Sequence, residues 1–210
     1  ETVGSGISIL SRNLTGWGMG LIDFDNDGFK DVFLATSHFP GSEPHVHTDA
    51  AISNHIFRNT GTGRFEEASG LAGRDFQRPA LYHGAAFADF DNDGRVDAVV
   101  TAVNSYTRLF RNTTALAGHW LGLRLIGTAS NRSGLGALVS VKLPGGHQVN
   151  RATTAVGYAS SSEPAVRFGL GNATAAAEVE IRWPSGQVQV LRSVTADQLL
   201  DVREPPVTAK

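Results

Sequence analysis

At 210 residues the chain is long enough for one large domain or two ordinary ones, and its 41% hydrophobic and 18% charged content is ordinary for a globular protein. The net charge of −2 is accompanied by arginines scattered singly, which leaves no concentrated basic face for a nucleic acid. No run of about eighteen apolar residues is present to insert in a membrane, and the absence of cysteine excludes disulfides and thiolate metal sites.

Glu1 opens the chain without a methionine or a signal-peptide pattern, so a mature or excised piece is expected. The first informative stretch is Gly16-Trp17-Gly18-Met19-Gly20-Leu21-Ile22, a glycine-rich strand pattern. It runs into Asp23-Phe24-Asp25-Asn26-Asp27-Gly28-Phe29-Lys30-Asp31 and then the apolar Val32-Phe33-Leu34-Ala35-Thr36. Sixty-six residues later the same grammar returns. Tyr82-His83-Gly84-Ala85-Ala86-Phe87-Ala88 precedes Asp89-Phe90-Asp91-Asn92-Asp93-Gly94-Arg95-Val96-Asp97, and Ala98-Val99-Val100-Thr101 follows. Eight of the twelve aspartates therefore sit in two windows reading D-F-D-N-D-G-x-x-D. With those eight set aside, 12 acidic residues stand against 18 basic ones.

Four carboxylates within nine residues repel one another, and each raises the cost of ionising the next. A hard, oxygen-seeking cation removes that cost. Calcium takes six to eight oxygens at roughly 2.3–2.6 Å in a flexible cage. In the first window the expected ligands are the carboxylates of Asp23, Asp25, Asp27 and Asp31 with the carbonyl of Phe29. In the second they are Asp89, Asp91, Asp93 and Asp97 with the carbonyl of Arg95. Gly28 and Gly94 supply the backbone freedom the curl requires. An EF-hand is excluded, because loop position twelve is Leu34 or Val100 instead of glutamate and the flanks are β-branched strands. Two calcium ions on strand-to-strand connections are expected.

The repeat continues downstream. Ile56-Phe57-Arg58-Asn59-Thr60 matches Leu109-Phe110-Arg111-Asn112-Thr113, and Gly61-Thr62-Gly63 turns the chain into Arg64-Phe65-Glu66-Glu67-Ala68. Each unit reads as a four-stranded propeller blade. From about Gly118 the pattern changes to period-two strands at 121–125, 139–143, 179–183 and 188–190, separated by Pro144-Gly145-Gly146 and Pro184-Ser185-Gly186. A small β-sandwich is predicted there. The fold expected is all-β: a partial β-propeller of about two four-stranded blades over 1–117, a β-sandwich-like domain over 118–204, and a tail over 205–210.

These motifs carry a family resemblance. The acidic loops, with a glycine-rich strand before and an L/I-F-R-N-T strand after, resemble the FG-GAP/VCBS repeats of integrin-α-type propellers. Asn131-Arg132-Ser133-Gly134-Leu135-Gly136-Ala137, Gly157-Tyr158, Phe168-Gly169-Leu170-Gly171 and Arg182-Trp183-Pro184-Ser185-Gly186, in that order, resemble the ASPIC/UnbV domain. That domain follows such a propeller in cartilage-acidic-protein-like secreted proteins. The resemblance implies calcium-stabilised extracellular interaction modules, secreted, periplasmic or at the cell surface, with a protein or glycan of the surface or matrix as partner and without a known catalytic activity. Family propellers close with about seven blades, so two visible units imply either a C-terminal piece of a longer parent chain whose remaining blades complete the ring, the favoured reading, or assembly with other copies.

Other candidates are weaker. His38, His45, His47, His55 and His83 surround the loops, and His45-Val46-His47 with Asp49 offers imidazoles on one strand face. These histidines are the supply for the competing reading, a hydrolase or lyase acting on polysaccharide across the propeller face. A carbohydrate-binding module built on the sandwich half is a third reading. Ser160-Ser161-Ser162-Glu163 lacks a nucleophile elbow and reads as a strand-end turn. Trp17, Trp120 and Trp183 flank apolar strands and read as packing residues. The sequons at Asn13, Asn112, Asn131 and Asn172 fit an exported protein.

Overall fold

The computed structural model describes residues 4–38, 51–115 and 118–206. A single helical turn, α1 (Ile7–Leu10), precedes the first blade. That blade is an antiparallel meander of β1 (Gly16–Ile22), β2 (Asp31–Thr36), β3 (His55–Asn59) and β4 (Phe65–Glu67). The second blade holds β5 (Tyr82–Ala88), β6 (Asp97–Ala102) and β7 (Arg108–Phe110) in the same order. Registers agree strand for strand: Ile22 faces Asp31 as Ala88 faces Asp97, and Val32 faces Phe57 as Ala98 faces Phe110. Even the irregularity early in the first strand recurs, between Gly16 and Met19 and between Tyr82 and Ala85.

The second blade departs from expectation in having three strands among the described residues. In the first blade Gly61 and Gly63, both with positive φ, reverse the chain into β4. The second blade has Thr114 where the first has Gly61, and the chain runs on toward the first acidic loop, where Gly118 N–H donates to Asp25 O at 2.8 Å. Without the left-handed turn residue the strand does not fold back.

The rest forms two sheets. One is β10 (Gly146–Arg151), β9 (Leu138–Leu143), β12 (Ala175–Arg182) and β13 (Val188–Thr195), all antiparallel. The other is β11 (Val166–Gly171), β8 (His119–Ile126) and β14 (Gln198–Arg203), with β14 parallel to β8. Alternate residues point inward as period two requires. Leu121, Leu123, Leu125, Val139, Val141, Phe168, Val179, Ile181 and Trp183 form the buried core between the sheets.

A second buried cluster joins the blades around Phe33, Phe76, Tyr82, Phe87 and Val100, with Val156 of the sandwich packed against it. Its rings meet edge-on: Phe33 with Phe87 at 5.2 Å and Phe76 with Phe110 at 5.1 Å between centroids. Glu204, the last residue of the predicted sandwich, is among the most buried residues, 1% exposed. Its Oε2 accepts the N–H groups of Thr128, Ala129 and Ser130, and its Oε1 accepts the hydroxyls of Ser130 and Ser185.

Candidate metal centre

The first acidic loop joins β1 to β2 and is wound by its own side chains. Asp23 Oδ1 accepts Asp27 N–H at 3.1 Å and Oδ2 accepts Gly28 N–H at 2.9 Å. Asp27 Oδ1 accepts Phe29 N–H at 2.8 Å. Asn26 and Gly28 both take positive φ, 55° and 97°, values that asparagine and glycine tolerate best. The result brings one oxygen each of Asp23, Asp25 and Asp27 within 4.8 Å of one another. Asp31 stands apart from this triplet. Its two oxygens accept the backbone N–H groups of Phe24 and Asn59, tying both loop ends to β3.

The second loop, between β5 and β6, repeats this bond for bond. Asp89 accepts Asp93 N–H at 3.0 Å and Gly94 N–H at 2.9 Å, and Asp93 accepts Arg95 N–H at 2.9 Å. Asp97 accepts the N–H groups of Phe90 and Asn112. Asp89, Asp91 and Asp93 converge as the first triplet does. These two triplets are the groups of three or more acidic or imidazole side chains able to share a metal among the described residues.

Electrostatically the loops differ. Burial, followed by the charges of Asp27, Asp25 and Asp31, raises Asp23 to about 7 against the pull of Gly28 N–H. Burial raises Asp31 to about 6 and also raises Asp27. Four carboxylates of this loop face one arginine, Arg58, whose Nε lies 2.9 Å from Asp25 and Nη2 3.3 Å from Asp27. Four carboxylates of the second loop face three. Arg111 binds Asp91 at 2.5 Å and holds it below the usual carboxylate range, Arg95 pairs with Asp93, and Arg167 lies 3.1 Å from the buried Asp89. Asp25 Oδ1 is buried without a hydrogen-bond partner among the described residues.

The loops are not free hairpin tips, for the sandwich sits on both. Asn26 O accepts Gly171 N–H and Asp25 O accepts Gly118 N–H. A Cβ at Gly169 would collide with Asp23 Oδ2 and the Asn26 backbone, so only glycine lets β11 approach. At the second loop the Trp120 indole covers Gly94, and the Arg167 guanidinium lies 5.7 Å from the Trp120 ring while also pairing with Glu163. A cleft of about 370 Å³ opens beside this junction, with Asp23, Lys30, Arg167 and Phe87 in its wall.

The R-N pair that marked the repeat proves to be part of each loop: the arginine meets the carboxylates and the asparagine N–H bonds the last aspartate. Its spacing from the loop, 33 residues from Asp25 to Arg58 but 20 from Asp91 to Arg111, hid the partnership. Arg167 carried no repeat signature at all. Of the histidines, His45 and His47 lie outside the described residues, as does Asp49. His55 stacks on Phe57 and lies 3.4 Å from Glu67, whereas His83 stacks at 4.1 Å on Trp17 in the other blade. Two sequons are structural, since Asn112 Nδ2 donates to Phe24 O and Asn131 Nδ2 to Leu135 O.

Comparison with known proteins bears out the resemblance. Residues 23–100 match the FG-GAP-like repeat and residues 127–209 match ASPIC and UnbV. The two matches fall in the chain order that the resemblance implies. It is 28% identical over 187 residues to cartilage acidic protein 1 of Mus musculus, covering 87% of this chain and 27% of that protein. It is 29% identical over 196 residues to cartilage acidic protein 1 of Xenopus tropicalis, covering 87% of this chain and 28% of that protein. The chain spans little over a quarter of the length of these curated relatives.

Proposed function

We propose that this chain is a calcium-binding extracellular interaction module without catalytic activity, divided into blades over 1–117 and a sandwich over 118–204. Its two ions rigidify the loops on which the sandwich is seated. The unpartnered, buried Asp25 Oδ1 within a triplet of convergent carboxylates is the observation that carries the reading. The donor set fits a hard cation: every side-chain ligand is a carboxylate oxygen, and no nitrogen or sulfur competes. Asp23, Asp25 and Asp27 would hold one ion and Asp89, Asp91 and Asp93 the other, with Phe29 and Arg95 carbonyls and Asp31 and Asp97 completing the sets. The two hydrophobic clusters support the division. Resemblance to cartilage acidic protein 1 supports an extracellular setting, and the partner proposed is a protein or glycan of the surface or matrix. There, calcium is plentiful enough for modules that bind it at about 10⁻⁴–10⁻³ M.

The enzymatic alternative lacks comparable support, because His55 and His83 are engaged separately in different blades. The test is thermal unfolding with millimolar calcium, magnesium or chelator. Calcium raises the melting temperature, and Asp25→Ala and Asp91→Ala each remove part of that rise. An equal response to magnesium, or an unchanged calcium response in both variants, would rule the reading out.

A further inference from the structure

We infer that the sandwich is seated by a latch and a hinge: calcium fastens its contact with the first loop, while Arg167 fastens its contact with the second without an ion. The latch half rests on the calcium reading above; the hinge half stands without it. The two loops serve as each other's control, because one strand of the sandwich meets the leading aspartate of both. On β11, Arg167 and Gly169 are two positions apart and therefore share a face. Gly169 lies against Asp23, so closely that a Cβ would stand 2.0 Å from Asp23 Oδ2. Arg167 reaches Asp89, with Nη1 3.1 Å from Asp89 Oδ2. Asp23 and Asp89 open the two windows at equivalent positions. The same strand face thus offers no charge to one loop and a cation to the other.

The remaining contacts divide in the same way. At the first loop the sandwich is held through its own neutral groups: Gly171 N–H donates to Asn26 O at 2.9 Å, Gly118 N–H donates to Asp25 O at 2.8 Å, and Asn150 Oδ1 accepts from Lys30 Nζ at 3.0 Å. Among the described residues no cation of the sandwich pairs with a carboxylate of that loop. Both carbonyls belong to the stretch that crowds the carboxylates, so their aim depends on what neutralises Asp23, Asp25 and Asp27. At the second loop the Asp89 side chain is 1% exposed and that of Arg167 13%, a buried pair. Arg167 also pairs through Nε with Glu163, whose N–H donates to Phe87 O at 3.0 Å. The guanidinium therefore ties Asp89 to the segment whose Ser160 and Ser162 hydroxyls accept the N–H groups of Ala85 and Phe87 on β5. Removing one partner of a buried pair leaves an uncompensated charge, which is far costlier than the intact pair. A cation supplied by the fold makes calcium dispensable at this contact, so calcium level sets how firmly the sandwich is held without releasing it.

Hydrogen exchange on the whole chain tests both halves. In chelator, the amides of Gly118 and Gly171 should exchange about tenfold faster than in millimolar calcium, while those of Ala85, Phe87 and Glu163 stay within about threefold of their calcium rates. Arg167→Met in chelator should speed Ala85, Phe87 and Glu163 about tenfold or more. Calcium should restore them, because the ion neutralises Asp89 in the arginine's place, and that restoration shows the variant to be folded. Arg167→Lys, which keeps the charge, should stay closer to the parent chain in chelator. Chelator effects equal at both contacts, or an Arg167→Met variant indifferent in chelator, would overturn the inference and leave the calcium reading intact. A loss that calcium fails to repair would assign Arg167 to packing and overturn it as well. No effect of calcium on any amide of the parent chain would sink the calcium reading and the latch with it.

Discussion

At the scale of single residues, the acidic loops pit burial against charge. Asp23, raised to about 7, and Asp31, raised to about 6, bind protons in the metal-free folded state that the unfolded chain releases near 3.8. Over that interval the folded state holds more protons than the unfolded state, so stability of the metal-free protein falls as pH rises from about 4 toward 7. Glu204 works in the opposite direction. Burial acts to raise it, but the hydroxyls of Ser185 and Ser130 with the amides of Ser130 and Thr128 override burial and hold it at about 2. Its stabilisation is full above 4.5 and is lost as pH falls through 2. Metal-free protein should therefore be most stable in mildly acidic solution, and the melting increment from calcium should grow between pH 5 and pH 7.5 as protons cease to compete. Calorimetry across that range, with and without calcium, measures both trends. A calcium increment independent of pH would mean that Asp23 and Asp31 are ionised before the ion arrives.

At the scale of elements, legibility followed locality. Both acidic loops, the strands around them and the core strands β8, β9, β12 and β13 were readable because period-two patterns and turn residues lie within a few positions of one another. Strand β10, Gly-His-Gln-Val-Asn-Arg, was not, since its inward positions are polar: Gln148 and Asn150 donate to the Gly169 and Arg167 carbonyls of β11 while the alternate side chains face outward. The fourth strand of the second blade was expected from the repeat, yet the substitution of Thr114 for the glycine of the first-blade turn already carried the exception. The serine run shows why residues distant in sequence escape such a reading. Ser160 and Ser162 were read as a strand-end turn. They lie along the inner edge of β5, where Ser160 Oγ accepts Ala85 N–H at 2.9 Å and Ser162 Oγ accepts Phe87 N–H at 3.0 Å. Hydroxyls here do the work of a neighbouring strand, satisfying amides of residues that are 1% and 2% exposed. Ser162→Ala should cost about 1–2 kcal/mol in denaturant unfolding, because the buried Phe87 N–H loses its acceptor. Ser162→Thr, which keeps the hydroxyl, should recover most of the loss. Equal destabilisation by both variants would show that space, not the hydrogen bond, is what matters at this edge.

At the scale of the whole molecule, the loops and the sandwich form one mechanical unit. The first loop meets β11 through Asn26 O and the start of β8 through Asp25 O, and the second meets β11 through Arg167 and β8 through Trp120. An ion bound as proposed would set the curl of Asp25-Asn26-Asp27 and with it aim the two carbonyls that hold Gly118 and Gly171. Binding and docking would then share one coupling free energy, and each would affect the other by the same factor. The arginine balance ranks the two sites. The first loop, with a single arginine, has more uncompensated charge to relieve and should bind calcium more tightly than the second. Gly169→Ala places a methyl against Asp23 and the Asn26 backbone, so it should weaken calcium binding at the first loop about fivefold or more while leaving the second closer to its original affinity. In the reciprocal experiment, removal of calcium should speed amide exchange at Gly118 and Gly171, which donate to the first loop, before it affects the core amides of Val139 and Ile181. Calorimetric titration reads the first arm and hydrogen exchange the second. A variant with unchanged calcium affinity, together with glycine amides indifferent to the ion, would mean that the blades and the sandwich respond to calcium independently.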